Sequence, residues 1–354
     1  MLPANGGKMK VLILGASYGS LLSTKLLMAG HEVTLVCLPK EVALINAEGT
    51  TVRITLRDED KPRLLHSLTF PGKLNALIPE DTNPREYDFI GLAMQEPQFR
   101  AKSIRDLLGK IADSGKPCLS IMNFPPLPYL KRIQGLDTQT LTPAFTDASV
   151  WDGFEPGCVS LCSPDPQAFR PPEEKLNFLH VGLPTNFKAA LFADEAHNEL
   201  LKQLEADISA IKLDGKDVPV KLRLHRSVFV PLAKWSMLLT GNYRAITPGE
   251  PQSIHDAVHS DLELSRSIYA WVDALARDLG ADPADQVPFK KYANAAINLV
   301  KPSSAARAIA AGAKDIERVD KLVQLIASQR GKSFDAIDQT VALVDAKLEA
   351  NRQT

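Results

Sequence analysis

One charged residue stands in an otherwise apolar stretch of this chain. Val228-Phe229-Val230-Pro231-Leu232-Ala233-Lys234-Trp235-Ser236-Met237-Leu238-Leu239 carries a single lysine. Burying an ammonium group is costly and lowers its pKa. Such a lysine either reaches out to solvent along its own stem or does chemistry. Asn242 follows eight residues on, two helical turns away and on roughly the same face. A cationic donor beside an amide could hold and protonate a carbonyl oxygen. The spacing alone leaves the solvent-reaching lysine as the commoner alternative.

A second chemical signal lies near the start. Residues Lys10–Leu14 are a short run of β-formers, and Gly15-Ala16-Ser17-Tyr18-Gly19-Ser20 follows. A glycine after a strand allows a tight bend. A second glycine allows a pyrophosphate to approach the backbone at a helix N-terminus, where N–H groups and the dipole favour negative charge. The spacing is GxxxG, one residue short of the dinucleotide fingerprint GxGxxG. The same residues fit GxSxG, the nucleophile elbow of α/β-hydrolases. That elbow normally follows several strands, whereas this turn follows the first, so a dinucleotide turn is the stronger reading. The next strand ends at Cys37-Leu38-Pro39-Lys40. An acid there would read a ribose 2′-hydroxyl and favour NAD. None is present, and Lys40 could pair with a 2′-phosphate, which favours NADP with NAD as the alternative.

Other residue sets carry less. His255-Asp256-Ala257-Val258-His259 places two histidines at i, i+4, but no third ligand follows at a familiar spacing, so a solvated helix start is expected and no metal site. Cys37, Cys118, Cys158 and Cys162 form no CxxC pair and no zinc spacing. With no secretory signal pattern, a reduced, cytoplasmic setting is expected. The formal net charge of −1 offers no global field for nucleic acid. No apolar run approaches the roughly 20 residues that span a bilayer, so no membrane partner is expected.

The elements that must position these residues are legible in outline. Over 354 residues, length favours two domains. Residues 1–9 read as a polar tail. Lys10–Leu14, a helix from Ser20 to Met28 closed by Gly30, and a strand over His31–Cys37 form a βαβ unit. Candidate strands follow at Val52–Leu56, Leu68–Phe70, Asp88–Met94, Pro117–Met122, Gly157–Leu161 and Phe178–Leu183. Helices are expected over Ser103–Ala112 and Glu195–Ser209. The Pro-rich stretches Phe124–Tyr129 and Ser163–Glu174 read as loops. Strands alternating with helices predict a doubly wound, Rossmann-type α/β sheet over 10–222. Helical patterns then dominate: Ser227–Thr240, Ile254–Leu279, Phe289–Asn298, Ser303–Ala311, Lys314–Gln329 and Phe334–Asn351. The expected second domain, 223–354, is all-α and carries the substrate and the catalytic groups.

The chain resembles the ketopantoate reductase (2-dehydropantoate 2-reductase) family from about Met9 to Leu348. Val11 to Leu22 with Gly30-His31-Glu32-Val33-Thr34-Leu35-Val36 is similar to that family's opening βαβ, and Glu155-Pro156-Gly157-Cys158-Val159 to its mid-chain Pro-Gly turn and strand. Lys234 and Asn242 match the Lys-x3-Asn-x3-Asn helix, and Lys301-Pro302-Ser303 the Pro-Ser segment. Asp315-Ile316-Glu317 falls where the family has Glu-Ile-Asp. The resemblance implies NADPH-dependent reduction of a 2-keto acid, or a related imino acid, with Lys234 protonating the keto oxygen as hydride arrives. It makes Asn242, Ser303 and Asn123 substrate-binding residues and stands Asp315 in for the family's glutamate. Gly15, Ser17, Tyr18, Gly19, Ser20, Lys40, Gln95, Gln98 and Asn123 would meet the cofactor. A homodimer is also expected.

The departures from the family's pattern cluster around the substrate. Leu238 replaces the first asparagine of the helix motif, and Gln95 stands where the family often has lysine. Asp315 is one methylene shorter than glutamate, about 1.5 Å of reach. Phe124-Pro125-Pro126 replaces a flexible glycine loop with a stiff apolar one. These changes predict a substrate bulkier or more apolar than ketopantoate. A non-catalytic NADP sensor and an opine-type dehydrogenase, which condenses a keto acid with an amine, are the alternatives.

Overall fold

A computed structural model describes residues 7–354. Of the segment read as a tail, residues 1–6 lie outside the described residues. The chain divides into two compact units. The first comprises the residues up to Met94, Gln98–Tyr129 and Ser149–Arg226. The second comprises Gln95–Pro97, Leu130–Ala148 and Ser227–Thr354. The sequence placed a single boundary near 222–226; the second unit also draws on two earlier segments.

The strands of the first unit are β1 (Lys10–Leu14), β2 (Glu32–Val36), β3 (Thr51–Ile54), β4 (Arg63–His66), β5 (Lys73–Leu77), β6 (Phe89–Leu92) and β7 (Cys118–Ile121). They continue with β8 (Val159–Ser163), β9 (Gln167–Phe169), β10 (Phe178–Leu183), β11 (Phe187–Ala190), β12 (Lys212–Leu213), β13 (Lys216–Asp217) and β14 (Leu222–His225). Its helices are α1 (Gly19–Met28), α2 (Pro39–Glu48), α3 (Lys102–Ser114), α4 (Leu127–Leu130, closing at the unit boundary) and α5 (Glu195–Ala210). Eight strands make the main sheet, in the order β14-β11-β8-β7-β6-β1-β2-β5. From β5 to β8 every pairing is parallel; β11 runs antiparallel to β8. Strands β6, β7 and β8 are buried along their whole length. That is why β6 reads as an unbroken apolar run rather than an alternating one.

The strand order reverses at β1, with β2 and β5 on one side and β6 to β8 on the other. In open α/β sheets ligands bind beyond the carboxyl ends of strands at such a switch point. Val11, Ile13, Leu21, Leu26, Leu35 and Phe89 pack the core under it. A smaller sheet, β4-β3-β10-β9, lies beside the first.

The second unit is helical: α6 (Lys234–Met237), α7 (Ile254–His259), α8 (Leu262–Asp278), α9 (Phe289–Ala296), α10 (Ser304–Ala310), α11 (Val319–Gln329) and α12 (Asp335–Gln353). Ile254, Val258, Tyr269, Tyr292 and Ala296 form one of its cores. Two expected helices differ in instructive ways. The single helix over Ile254–Leu279 is broken at Asp261, whose side chain accepts the Leu264 N–H at 2.9 Å and starts a new helix. The helix expected from Lys314 begins only at Val319, because the Val319 N–H is taken by the Tyr243 hydroxyl at 2.9 Å. Asp315–Arg318 therefore remain irregular, and their side chains take directions a helix would not give them. Likewise Leu68–Phe70, read as a strand, lies around a 3₁₀ turn over Ser67–Thr69.

Candidate functional site

In the first unit the turn after β1 is built by its two glycines. Gly15 has φ +100°, and a Cβ there would meet the Ala93 carbonyl oxygen at 2.5 Å. Its N–H donates to the Val36 carbonyl at 2.9 Å, tying the turn to the end of β2. A Cβ on Gly19 would lie 2.7 Å from Ile13 Cγ2, so this glycine sets the close packing of α1 on β1. These are the outer two roles of a dinucleotide fingerprint. Ser17 lies between the two glycines in the chain and is exposed. The side chains beside it belong to the fold. The Tyr18 hydroxyl donates to the Pro166 carbonyl at 2.5 Å, and its ring stands edge-on to Phe187. Burial pushes the Tyr18 pKa far up. The Ser20 hydroxyl donates to the Ala16 carbonyl. What the turn offers an anion is therefore Ser17 and the first-turn N–H groups that every helix leaves over.

The corner at the end of β2 contains a residue the sequence reading missed. Glu41 Oε2 accepts the Leu38 N–H at 3.1 Å, and Glu41 Oε1 pairs with Arg170 Nη1 at 2.5 Å. Glu41 is buried and so is spent on capping α2 and holding Arg170. Arg170 Nη2 is buried with no partner among the described residues. Burial and Glu41 push the Cys37 thiol up to about 12, against the pull of Arg170. Lys40 is exposed in the first turn of α2. With Glu41 taken, the corner could offer a phosphate Lys40 and the orphaned Arg170 N–H. Arg170 lies 129 residues from Glu41, in a Pro-rich stretch read as a loop, and no local pattern marks it.

Two further predicted residues belong to the first unit. Asn123 follows β7, and its Oδ1 is buried without a partner among the described residues. Phe124 behind it is fully buried. Gln98 lies exposed in the 3₁₀ turn Glu96–Arg100, while Gln95, also exposed, is grouped with the second unit.

In the second unit the lysine segment is not one regular helix. Pro231 opens a 3₁₀ turn over Pro231–Ala233, Lys234 starts α6, and Leu238–Asn242 form a π-helical turn. The Tyr243 N–H reaches back to the Leu238 carbonyl at 3.0 Å. In a regular helix eight residues turn about 800°, leaving Asn242 about 80° off the lysine's face. A π turn carries one residue more. Eight residues then count as seven, and Asn242 returns to within about 20° of Lys234. Gly241 permits the turn: a Cβ there would lie 2.1 Å from the Tyr292 hydroxyl, which itself donates to the Met237 carbonyl at 3.0 Å. Lys234 and Asn242 are both half-buried, whereas Leu238 and Trp235 are core residues.

Ser303 is next to this segment, but its hydroxyl is occupied. It donates to the Asn242 carbonyl at 2.7 Å and, as the cap of α10, accepts the Ala306 N–H at 3.0 Å. Only 2% of Ser303 is exposed. Its visible effect is to fix the backbone of Asn242. Asp315 forms an ion pair with Arg352 at 3.0 Å. Glu317, two residues on, lies against the lysine site. Its Oε1 accepts the Glu96 N–H at 3.4 Å, and its backbone carbonyl accepts the Tyr243 hydroxyl at 2.5 Å. The protein packed around its carboxyl pushes its pKa up to about 7; the Glu96 charge adds to this, and the Glu96 N–H and Lys234 oppose it.

Glu96 is a second missed residue. It is 2% exposed, and its carboxylate accepts the Thr146 N–H at 2.9 Å and the Thr146 hydroxyl at 2.7 Å. Burial raises its pKa, against these hydrogen bonds. The histidine pair stays peripheral: the His255 and His259 rings stack 5.0 Å apart, and His259 Nε2 lies 3.0 Å from the Ala293 carbonyl. Among the described residues no three His, Cys, Asp or Glu side chains gather as a ligand set. No described helix is long and apolar enough to cross a membrane.

No protein-family model and no curated protein matches the sequence. Solved structures match over nearly the whole chain. A 2-dehydropantoate 2-reductase from Methylococcus capsulatus superposes with a TM-score of 0.66 at 13% identity, covering 98% of each chain. D-mandelate dehydrogenase, solved with NADH and anilino(oxo)acetate, gives 0.65 at 13%, covering 97% of this chain and 99% of that one. A ketopantoate reductase from Ralstonia eutropha JMP134 gives 0.57 at 17%, covering 97% and 100%. The fold is the one these proteins share. The Rossmann-type sheet followed by a helical unit is thus as the sequence predicted.

Proposed function

We propose that this protein is an NADP-dependent oxidoreductase that reduces a 2-keto acid, or a related carbonyl or imine, by hydride transfer. One observation carries the reading: Lys234 and Asn242 are joined through a π turn, which by helix geometry returns the amide to the lysine's face. Lys234 is the general acid. Its ammonium gives a proton to the carbonyl oxygen as hydride reaches the carbon, and the Asn242 amide holds the substrate on the same face. Ser303 supports Asn242 through its backbone. The reduced nicotinamide supplies the hydride. Gly15, Ser17, Gly19 and the amides of their turn hold its pyrophosphate, and Arg170 with Lys40 holds the adenosine 2′-phosphate. Asn123, Gln95 and Gln98 remain candidates for the nicotinamide and substrate end.

The sequence departures, Phe124-Pro125-Pro126 in place of a glycine loop and Leu238 in place of the motif's first asparagine, remove polar partners and so favour a substrate with a bulky or aromatic side chain. The aryl-bearing oxo acid held by D-mandelate dehydrogenase, a protein of the same fold, supports that choice. The test is NADPH oxidation across a panel of 2-keto acids with and without amines. Lys234→Ala should cut turnover by about 100-fold or more while leaving the thermal unfolding midpoint nearly unchanged. Retained turnover in that variant would remove Lys234 from the mechanism. Tight NADPH binding with no turnover would favour a sensor, and a rate that requires an amine would favour an opine-type reaction.

A further inference from the structure

Two carboxyl groups meet inside the helical unit, and the charge of Lys234 acts on one of them. Glu96 lies on its 3₁₀ turn, Lys234 on α6, and Glu317 on the irregular segment before α11. The Glu96 N–H points at Glu317 Oε1 across 3.4 Å. The Glu96 carboxylate is clamped by the Thr146 N–H, the Thr146 hydroxyl and the Asp147 N–H. Three donors favour its ionised form. Glu317 receives one longer backbone hydrogen bond, and it remains half-buried rather than sealed. Two neighbouring carboxyls share their titration, and the less clamped one takes the proton first.

We propose that Glu317 is the group that returns a proton to Lys234 after Lys234 has given its own to the substrate oxygen. This rests on the reductase reading above. Glu317 acts through Lys234 and is a positioning residue. The step balances. Hydride from the reduced nicotinamide forms the new C–H bond and a Lys234 ammonium N–H breaks to form the product O–H. The Glu317 carboxyl O–H then breaks, its proton passes to the Lys234 amine, and the carboxylate is reprotonated from solvent. Asp315 is less suited, since Arg352 holds its carboxylate as an ion pair at 3.0 Å. Glu96 and Lys234 act on the Glu317 carboxyl and the Tyr243 hydroxyl donates to its backbone carbonyl, while on its own segment Arg318 is turned to Asp320 and Asp345 and Asp315 to Arg352. Lys234 holds the Glu317 pKa down against burial, so the two groups are already coupled.

The experiment follows the Glu317 carboxyl by carbon NMR through a pH titration of the full chain, with Glu317→Gln assigning the signal. The wild type should titrate near neutrality. Lys234→Met should move that titration upward by roughly half a unit or more, and Asp315→Asn should move it less. In kinetics, Glu317→Gln should lower kcat about 10- to 100-fold with little change in the keto-acid KM. It should also abolish the fall in reduction rate above about pH 7, and Glu317→Asp should restore part of the rate. A Glu317 that titrates in the ordinary carboxylate range, ignores Lys234→Met, or can be replaced by Gln with the wild-type pH profile intact overturns the proposal. If no carbonyl compound is reduced but the titration responds to Lys234→Met, the coupling stands and the reductase reading falls.

Discussion

Arg170 and Glu317 are the two residues that most alter what the sequence implies. At the end of β2 the sequence offers Lys40 and no acid, which favours a 2′-phosphate. The fold adds Glu41, which is acidic but spent on the Leu38 N–H and on Arg170, and it adds the orphaned Arg170 Nη2. A charge-assisted hydrogen bond is worth about 1.5–3 kcal/mol. Arg170→Ala should therefore weaken NADPH binding about 10- to 100-fold and leave NADH binding nearly unchanged. Fluorescence titration of the two reduced cofactors checks this, and an equal loss for both would show that Arg170 only supports the fold. Neither pairing could be read along the chain. Glu96 and Glu317 are 221 residues apart, and nothing in the types or spacing of either marks them as partners. Asp315 and Glu317 were legible as a motif, but which of them reaches the lysine depends on Tyr243 delaying the start of α11.

At the scale of elements, the lysine helix shows why periodicity misled. An apolar run with a proline at its fourth position reads as one helix, and a π turn has no apolar signature of its own. Its cause is a tertiary fit, Tyr292 lying over Gly241. Gly241→Ala should cost about 1–3 kcal/mol through that clash, seen as a lower thermal midpoint, and Tyr292→Phe in the same chain should recover part of it. Additive losses would mean the two residues do not meet. Buried strands β1, β6 and β7 were legible as apolar runs. Strands β4 (Arg63–His66), β5 (Lys73–Leu77) and β11 (Phe187–Ala190) were not, because they are short and keep polar residues.

The first helix hides a second lysine, and this one is structural. Lys25 is 1% exposed and donates to the Val218 and Pro219 carbonyls at 3.3 and 3.1 Å. These precede Val220, a β-branched residue at φ +66°, where positive φ is a rare and strained conformation. Burial, aided by Lys221, lowers the Lys25 pKa to about 7. A lysine whose folded pKa lies below its unfolded value leaves the unfolded chain binding more protons between the two. Stability should then rise with pH from about 7 toward the ordinary lysine range, by at most about 1.4 kcal/mol per unit. Chemical denaturation across that window should show the rise in the wild type and a flatter course in Lys25→Met. The same slope in both would remove Lys25 as its source.

On the scale of the whole molecule, the division into an α/β unit and a helical unit was legible because periodicity changes near residue 227. The sheet order was not, since β8 to β14 join by pairings that no local pattern announces. The helical unit's claim on Gln95–Pro97 and Leu130–Ala148 was equally hidden. It matters because it brings Glu96, held by Thr146, to Glu317. The central claim is that hydride passes from a reduced nicotinamide to the carbon of a substrate whose oxygen Lys234 protonates. The direct measurement is the fate of deuterium. NADPH labelled at nicotinamide C4 is incubated with an aryl-bearing 2-keto acid, and the product is read by mass spectrometry and NMR. The expected product is a 2-hydroxy acid carrying deuterium at C2 from one face of the nicotinamide, formed by the wild type and not by Lys234→Ala. Turnover of the keto acid with no deuterium at C2, or labelled product from both proteins alike, would contradict it.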